Sequence, residues 1–429
     1  MRLEVRGCSS AGGVVEAPAS LWSTLFSLAA AAAVGGGVVE AGHTAARSGC
    51  VRELARGLGL LGYRVEVQGG SIEVVDSGEP AGGSLVARCG LLAAALLAPL
   101  AAARLRPGQR LVIRAGYEAL LRSPYRQVVE AVTSLGGRAW HGERPGSLVV
   151  VEGSVSPAPS RPLARLYKPW AAAAAGAALA ALAAGRPLTL LLHGSVRGTA
   201  LLEEAVRLLQ LLGVEARWSG GRLVVGPSAA PARAGLEPAS SLYAALAAAV
   251  PLLVCSGEWR AEIRWRLLQG AGVEEARSLA AALGFEAEAR CEGGACSMLL
   301  RPGRPRSMVH SVRRDPDYAF LALLHAGLAG GIISGLEVLE AEGYPASSLA
   351  RLEGAAVEEG EEGVRVMVEA AMPPGVFECQ EEARPACMLV LGRMLAAARG
   401  GLVAAEKIED RLPGLLEAAV SLSDVLSVR

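Results

Sequence analysis

The sequence predicts an α/β protein made of two inverse α/β-barrel domains, each of three repeated units with sheets outside and Ala-rich helices buried inside. Three observations lead there. A unit recurs six times, with its marks 74, 77, 71, 69 and 70 residues apart. Every unit carries an almost purely apolar, Ala-rich segment. One run, GPSAAPARAGLEPAS (226–240), interrupts the series with no helical or strand period. Internal periodicity on this scale decides an architecture before any single residue is read.

Each unit ends with a helix, then Leu-Gly or a close relative, then two short strands joined by a Gly-rich turn, which is a hairpin pattern. Leu61-Gly62 precedes YRVEVQGGSIEVV, Leu135-Gly136 precedes GRAWHGERPGSLVVV, and Leu212-Gly213 precedes VEARWSGGRLVVG. Leu283-Gly284 precedes FEAEARCEGGACSMLL, and Leu352-Glu353-Gly354 precedes AAVEEGEEGVRVMV. A sixth copy reaches Leu422-Ser423. Upstream lie the apolar segments 25–37, 90–103, 170–185, 242–254, 319–333 and 386–398. They are shorter than the roughly 20 residues that a bilayer span needs. A helix apolar all round but too short to span belongs in a protein interior. Each unit therefore buries one helix fully and half-buries a second, such as LLEEAVRLLQLL (201–212).

The seam divides the chain into a first domain, 18–228, and a second, 1–17 with 229–429. Ligands tend to lie between domains, so the cleft is expected to be lined by the starts of the buried helices. Free backbone N–H groups there favour anions.

Composition narrows the functions. Hydrophobic residues make up 52% and charged residues 20%, so the chain folds rather than staying disordered. Net charge is zero, which argues against a general nucleic-acid binder or a membrane-surface protein. Met1–Gly7 lacks a signal-peptide layout, so the expected location is cytoplasmic. Two lysines, Lys168 and Lys407, stand against forty arginines, and there is no asparagine. Scarce asparagine and glutamine fit heat adaptation or genome base composition. Cys291 and Cys296 flank a turn where a disulfide could form, as hyperthermophile cytosols permit; two reduced thiols are the other reading.

The landmarks along these six units resemble the enolpyruvyl transferase family, and its EPSP synthases in particular. APASLWSTLFSLAAA (17–31) is similar to the family's P-x-S-K-S-x-T-x-R-A segment, and RCGLLAAALLAPL (88–100) to its N-A-G-T-x-x-R helix start. LLRSPYRQVVEAVTSLGG (120–137) is similar to its R-P-M segment, and RDPDYAFLALLHAGLAGG (314–331) to its x-P-D-L start. EARPACMLVLG (382–392) stands at its D-H-R-x-x-M start, and KIEDRLPGLL (407–416) at its K-S-x-P-x-F segment. The resemblance implies two domains closing over phosphoenolpyruvate and shikimate 3-phosphate, with no cofactor and no metal. It places Asp317 as the deprotonating group, and Ser20, Thr24, Arg122, Glu382 and Arg384 as substrate contacts.

The chemistry departs from the pattern. Ser20-Leu21-Trp22 replaces Ser-Lys-Ser, and Phe26 the following arginine. Arg88 and Ala94 replace the Asn and Arg of the second motif, and Ser123 its neighbour's arginine. Tyr167-Lys168-Pro169 stands for the Ser-Ser-Gln segment, Leu339–Pro345 carries anions where the family has cations, and Asp410 takes the last lysine slot. Two anionic substrates in a dry cleft need fixed cations, and each lost contact costs roughly 10²–10³ in rate.

Two readings follow. In one, the chain is an EPSP-synthase-like monomer with lost or strongly reduced activity, binding an anionic metabolite or a protein partner. In the other, it is a divergent active EPSP synthase. A third, an RNA 3′-phosphate cyclase, lacks its histidine motif here.

Single residues carry plainer alternatives. Asp317 suits a helix start by itself. Arg384 could bind an anion bidentately or pair with Glu381 or Glu382. Arg304, Arg306, Arg313 and Arg314 form an anion loop or a solvated basic one. His325, inside an apolar helix, reads as a satisfied core residue.

Overall fold

The computed structural model describes the chain except residues 123–124, 143, 156–159, 161, 168, 228–233, 267–271, 293–294, 361–362, 370, 372 and 374. It contains six four-stranded sheets. Two compact units divide it: a terminal unit of Met1–Ser20, Ala239–Glu340 and Tyr344–Arg429, and an inserted unit of Leu21–Pro238 with Ala341–Gly343.

The repeat is a β-α-β-α-β-β motif. Its second copy runs from strand Gly83–Ala87 through helix Leu92–Arg104, strand Arg110–Ala115 and helix Arg126–Ser134. It closes with the hairpin Arg138–His141 and Ser147–Glu152. The first two strands pair in parallel and the hairpin adds antiparallel strands, because a helical crossover can join parallel strands and a tight turn cannot.

Three units take their last partner from elsewhere in the chain. Ala234–Leu236 pairs in parallel with Gly36–Glu40 of the first unit. Gly13–Glu16 pairs with Ala261–Trp265 of the fourth. Arg2–Val5 lies between Gly400–Val403 and Leu426–Val428 and completes the sixth. The run read from sequence as a structureless seam thus holds an edge strand. Three residues are too few to carry a period, and the pairing comes from the partner strand.

The six apolar segments are helices, or begin as one, and we label these α1 (Leu21–Ala33), α2 (Leu92–Arg104), α3 (Ala171–Ala183), α4 (Leu242–Ala249), α5 (Pro316–Ala329) and α6 (Arg384–Ala397). Every residue of α1 is buried. In the inserted unit α1, α2 and α3 pack on one another; in the terminal unit α5 packs on α4 and α6. The sheets turn one face to these helices and one to solvent, as Leu111 and Ile113 (buried) alternate with Arg110 and Arg114 (exposed). Small residues set the helix separation. A Cβ on Gly176 of α3 would lie 2.0 Å from the Ala95 carbonyl of α2. In the terminal unit a Cβ on Gly327 would meet the Leu389 carbonyl at 2.1 Å, and one on Gly392 the Leu324 carbonyl at 2.0 Å.

All eight cysteines pair: Cys8–Cys255, Cys50–Cys89, Cys291–Cys296 and Cys379–Cys387. Of the two sequence readings of Cys291 and Cys296, the disulfide is the one present: they face each other across the hairpin with Cα atoms 4.1 Å apart. Among the described residues no helix is long and apolar enough to cross a membrane.

Candidate functional site

Near the starts of α5 and α6 lie four buried charged residues of the terminal unit: Asp315, Asp317, Arg384 and Arg411. Asp315 precedes α5 in an extended conformation, and its carboxylate accepts the Asp317 N–H at 2.8 Å. Pro316 opens the helix, where a missing N–H costs nothing. This cap fixes Asp317 in the first turn, 1% exposed. The segment after helix Glu406–Glu409 carries Arg411, also 1% exposed, whose Nη2 lies 2.7 Å from Asp317 Oδ1. The Arg411 guanidinium lies over the Phe320 ring, 5.5 Å from its centroid.

Arg384 begins α6 ahead of Pro385 and is 1% exposed. Its Nη1 donates to the Tyr344 hydroxyl at 2.8 Å, and its Nη2 lies 3.6 Å from Asp410 Oδ2. Tyr344 meets Phe320 edge-on at 5.9 Å, so the two ion pairs share an aromatic partition. Desolvation makes unpaired charge costly in such a place; here both guanidinium groups find acceptors in the chain itself. Burial pushes the Asp317 carboxyl upward, and Arg411 opposes it.

A second polar chain adjoins the first. Tyr243 stacks on Tyr318 at 5.2 Å. Burial raises the Tyr243 phenol well above its usual range, Asp315, Tyr318 and Asp317 add to that, and Arg314 opposes it. His310 Nδ1 is 3.0 Å from the Tyr318 hydroxyl, and His310 Nε2 is 3.2 Å from His325 Nδ1. His325 Nε2 is 3.1 Å from the Leu283 carbonyl. A carbonyl only accepts, so His325 Nε2 carries the proton and its Nδ1 accepts from His310 Nε2–H. Tyr318 then donates to His310 Nδ1. Both rings are neutral in this arrangement. Burial lowers His310 to about 3, with His325 adding to the effect, and burial lowers His325 too, opposed by its bond to Leu283.

The sequence-predicted residues separate into groups. Asp317 and Arg384 join the cluster. Arg384 pairs with Asp410 and Tyr344 rather than with Glu381 or Glu382: Glu381 takes Lys407 Nζ at 2.8 Å, and Glu382 is half-buried apart from it. The four arginines expected in one loop are divided by strand Met308–Ser311. Arg304 and Arg306 precede that strand, while Arg313 and Arg314 follow it. At about 3.3 Å per extended residue, roughly 20 Å of chain lies between Arg306 and Arg313. Arg313 is also held by Glu337 at 2.7 Å. Ser20 and Thr24 are buried at the start of α1. Arg122 closes the 3₁₀ turn Glu118–Arg122, but its side chain lies outside the described residues, as does Lys168. Among the described residues no metal-ligating cluster forms.

Arg411 was missed in the sequence because the expected cation slot fell on Asp410. An arginine set directly before the apolar run Leu412-Pro413-Gly414-Leu415-Leu416 was the available signal. His310 lies on a strand where Val309-His310-Ser311 alternates exposed, buried, exposed.

The helix starts of the inserted unit are different. Trp22 is buried, and its Nε1 donates to the Leu201 carbonyl at 2.8 Å. Ser23 Oγ donates to Glu204 at 2.5 Å, and Arg207 holds the same carboxylate at 2.6 Å. Ahead of α2, Glu53 accepts the N–H groups of Arg88 (2.7 Å) and Cys89 (3.1 Å). Ahead of α3, Gln127 accepts the Trp170 N–H at 2.8 Å. These donors are taken by the chain itself.

No protein-family model matches this chain, and no curated protein sequence does. Solved structures do match. An EPSP synthase from Acinetobacter baumannii superposes with a TM-score of 0.65 at 14% identity, covering 100% of both chains. The enolpyruvyl transferase NikO from Streptomyces tendae gives 0.66 at 16% identity, covering 99% of this chain and 98% of its own. A further A. baumannii EPSP synthase structure gives 0.65 at 16%, covering 100% and 99%. What these identities show is the fold: from end to end, this chain has the enolpyruvyl transferase fold of EPSP synthase.

Proposed function

We propose that this chain is an EPSP-synthase-like protein whose 3-phosphoshikimate 1-carboxyvinyltransferase activity is lost or strongly reduced, and that the fold serves as a cytoplasmic, monomeric scaffold for an anionic metabolite or a protein partner. The observation that carries this is the Asp317–Arg411 pair, 2.7 Å apart and buried on both sides. The group expected to take up a proton is neutralised by the nearest cation, and that cation is withheld from substrate. Breaking such a pair costs about 3–5 kcal/mol, equivalent to roughly two to four decades in affinity for any anion that must displace Asp317. Paired cysteines in a cytoplasmic protein fit the heat-adapted reading.

A second reading, a divergent active EPSP synthase, is favoured by Arg411 supplying a guanidinium one residue beyond the expected lysine slot, beside Asp317. Phosphate release from phosphoenolpyruvate and shikimate 3-phosphate at elevated temperature separates the two. The scaffold reading expects no release from folded protein. Turnover that disappears in Asp317→Ala overturns it in favour of the enzyme.

A further inference from the structure

On several of the sheets, outer-face arginines are matched by neighbouring carboxylates: Arg64 with Glu66, Arg264 with Glu262, Arg365 with Glu358. The second sheet is different. Its strands align one row of side chains across the outer face, Ser84 beside Val112, Val112 beside Val150 and Val150 beside Trp140. The row is an apolar floor ending at an indole. Arg110 stands two residues before Val112 with its guanidinium 5.5 Å from the Trp140 ring centroid, and Arg114 stands two residues after it. Arg144, from the hairpin turn, closes a third side. They enclose a groove of about 560 Å³, within the roughly 300–1,000 Å³ of small-molecule sites.

Among the described residues the charge in this groove is unbalanced. Glu152 holds Arg110 at 3.2 Å and Arg138 at 3.3 Å. Among the described residues, Arg114 and Arg144 have no carboxylate within ion-pair distance. Guanidinium groups with no described counter-charge, around an aromatic wall, suit an oxyanion attached to a flat ring. The planar fork grips the anion bidentately, and the indole and valine floor take the ring. A chain of zero net charge offers no extended basic track, and the groove has room for a small molecule.

We propose that the outer face of the second sheet binds a small planar aromatic anion of the nucleoside monophosphate type, its ring against Trp140 and the Val112–Val150 floor and its anionic group between Arg114 and Arg144. None of these residues belongs to the cluster around Asp317, so the site stands whether or not that cluster is catalytic.

The test is calorimetric titration of the full chain with adenosine 5′-monophosphate, adenosine and inorganic phosphate, in wild type, Trp140→Ala and Arg114→Glu. Trp140 and Arg114 lie on the outer face, so both variants are expected to melt as wild type does. The nucleotide is expected to bind with a Kd of about 0.1 mM, well ahead of adenosine or phosphate. Each substitution is expected to weaken it about tenfold or more. Nucleotide affinity unchanged in both variants, phosphate binding as tightly as the nucleotide, or no binding up to about 5 mM would each overturn the proposal.

Discussion

The two units bury their charge differently. The inserted unit buries carboxylates, Glu53 and Glu204, while its arginines among the described residues stay partly or wholly exposed. The terminal unit buries Arg384, Arg393 and Arg411 together with Asp315 and Asp317. Glu53 and Glu204 accept from backbone N–H groups or from Ser23 and Arg207, so that unit places negative charge where helix dipoles favour an anion. The terminal unit closes Arg384 and Arg411 on its own acids, Asp410 and Asp317. On the proposed scaffold reading, one fold has shut the same kind of position in two ways, by occupation in one unit and by neutralisation in the other.

The largest effect is expected from breaking the neutralised pair. Arg411→Met leaves Asp317 buried without its counter-charge and should cost about 3–5 kcal/mol in denaturant unfolding. The double variant with Asp317→Leu should recover much of it, since an apolar replacement of a buried pair is often neutral. A small loss in the single variant would mean that the pair is solvated, and the contrast between the units would weaken.

Acid comes next and acts on the terminal unit, where His310 and His325 are buried. Their folded pKa values lie below the ordinary 6.5, His310 at about 3. The unfolded chain therefore binds more protons between those values, so stability is full above about pH 6.5 and falls as the pH drops. At pH 4.5 His310 alone should account for about 2–3 kcal/mol. Unfolding free energies at pH 7.5 and 4.5 should differ less in His310→Gln than in wild type; equal differences would remove the histidine chain from the account.

The smallest effect sharpens the idea of occupation. Glu53→Ala frees the N–H groups of Arg88 and Cys89 and should cost about 1–3 kcal/mol. If the carboxylate stands where an anion would bind, sulfate should restore part of the melting temperature in the variant and little in wild type. Equal sulfate responses would make Glu53 a structural cap and nothing more.

The repeat was legible because six copies of one motif reinforce each other. An all-apolar stretch of 13 to 16 residues, such as 170–185, has few places to go except an interior. The strand exchanges were not legible: Arg2–Val5 finds its partners some four hundred residues away, and no local pattern encodes that. Of the cysteine pairs, Cys291–Cys296 could be read from its turn, whereas Cys8–Cys255 spans 247 residues.

The candidate site was half legible for a related reason. Asp317 and Arg384 stand at helix starts, where capping preferences and proline leave a local trace. Arg411 leaves only its place before an apolar run, and Tyr344 and the His310–His325 contact leave none, because their roles depend on which side chains other elements deliver to the same few ångströms. The sequence by itself determined the six-unit α/β architecture and the scarcity of lysine that sets this chain apart from the family it resembles. Only the tertiary structure decided that Arg384 and Arg411 face the chain's own carboxylates, Asp410 and Asp317. Periodicity acts along the chain and survives in the sequence, while charge pairing acts through space and depends on distance.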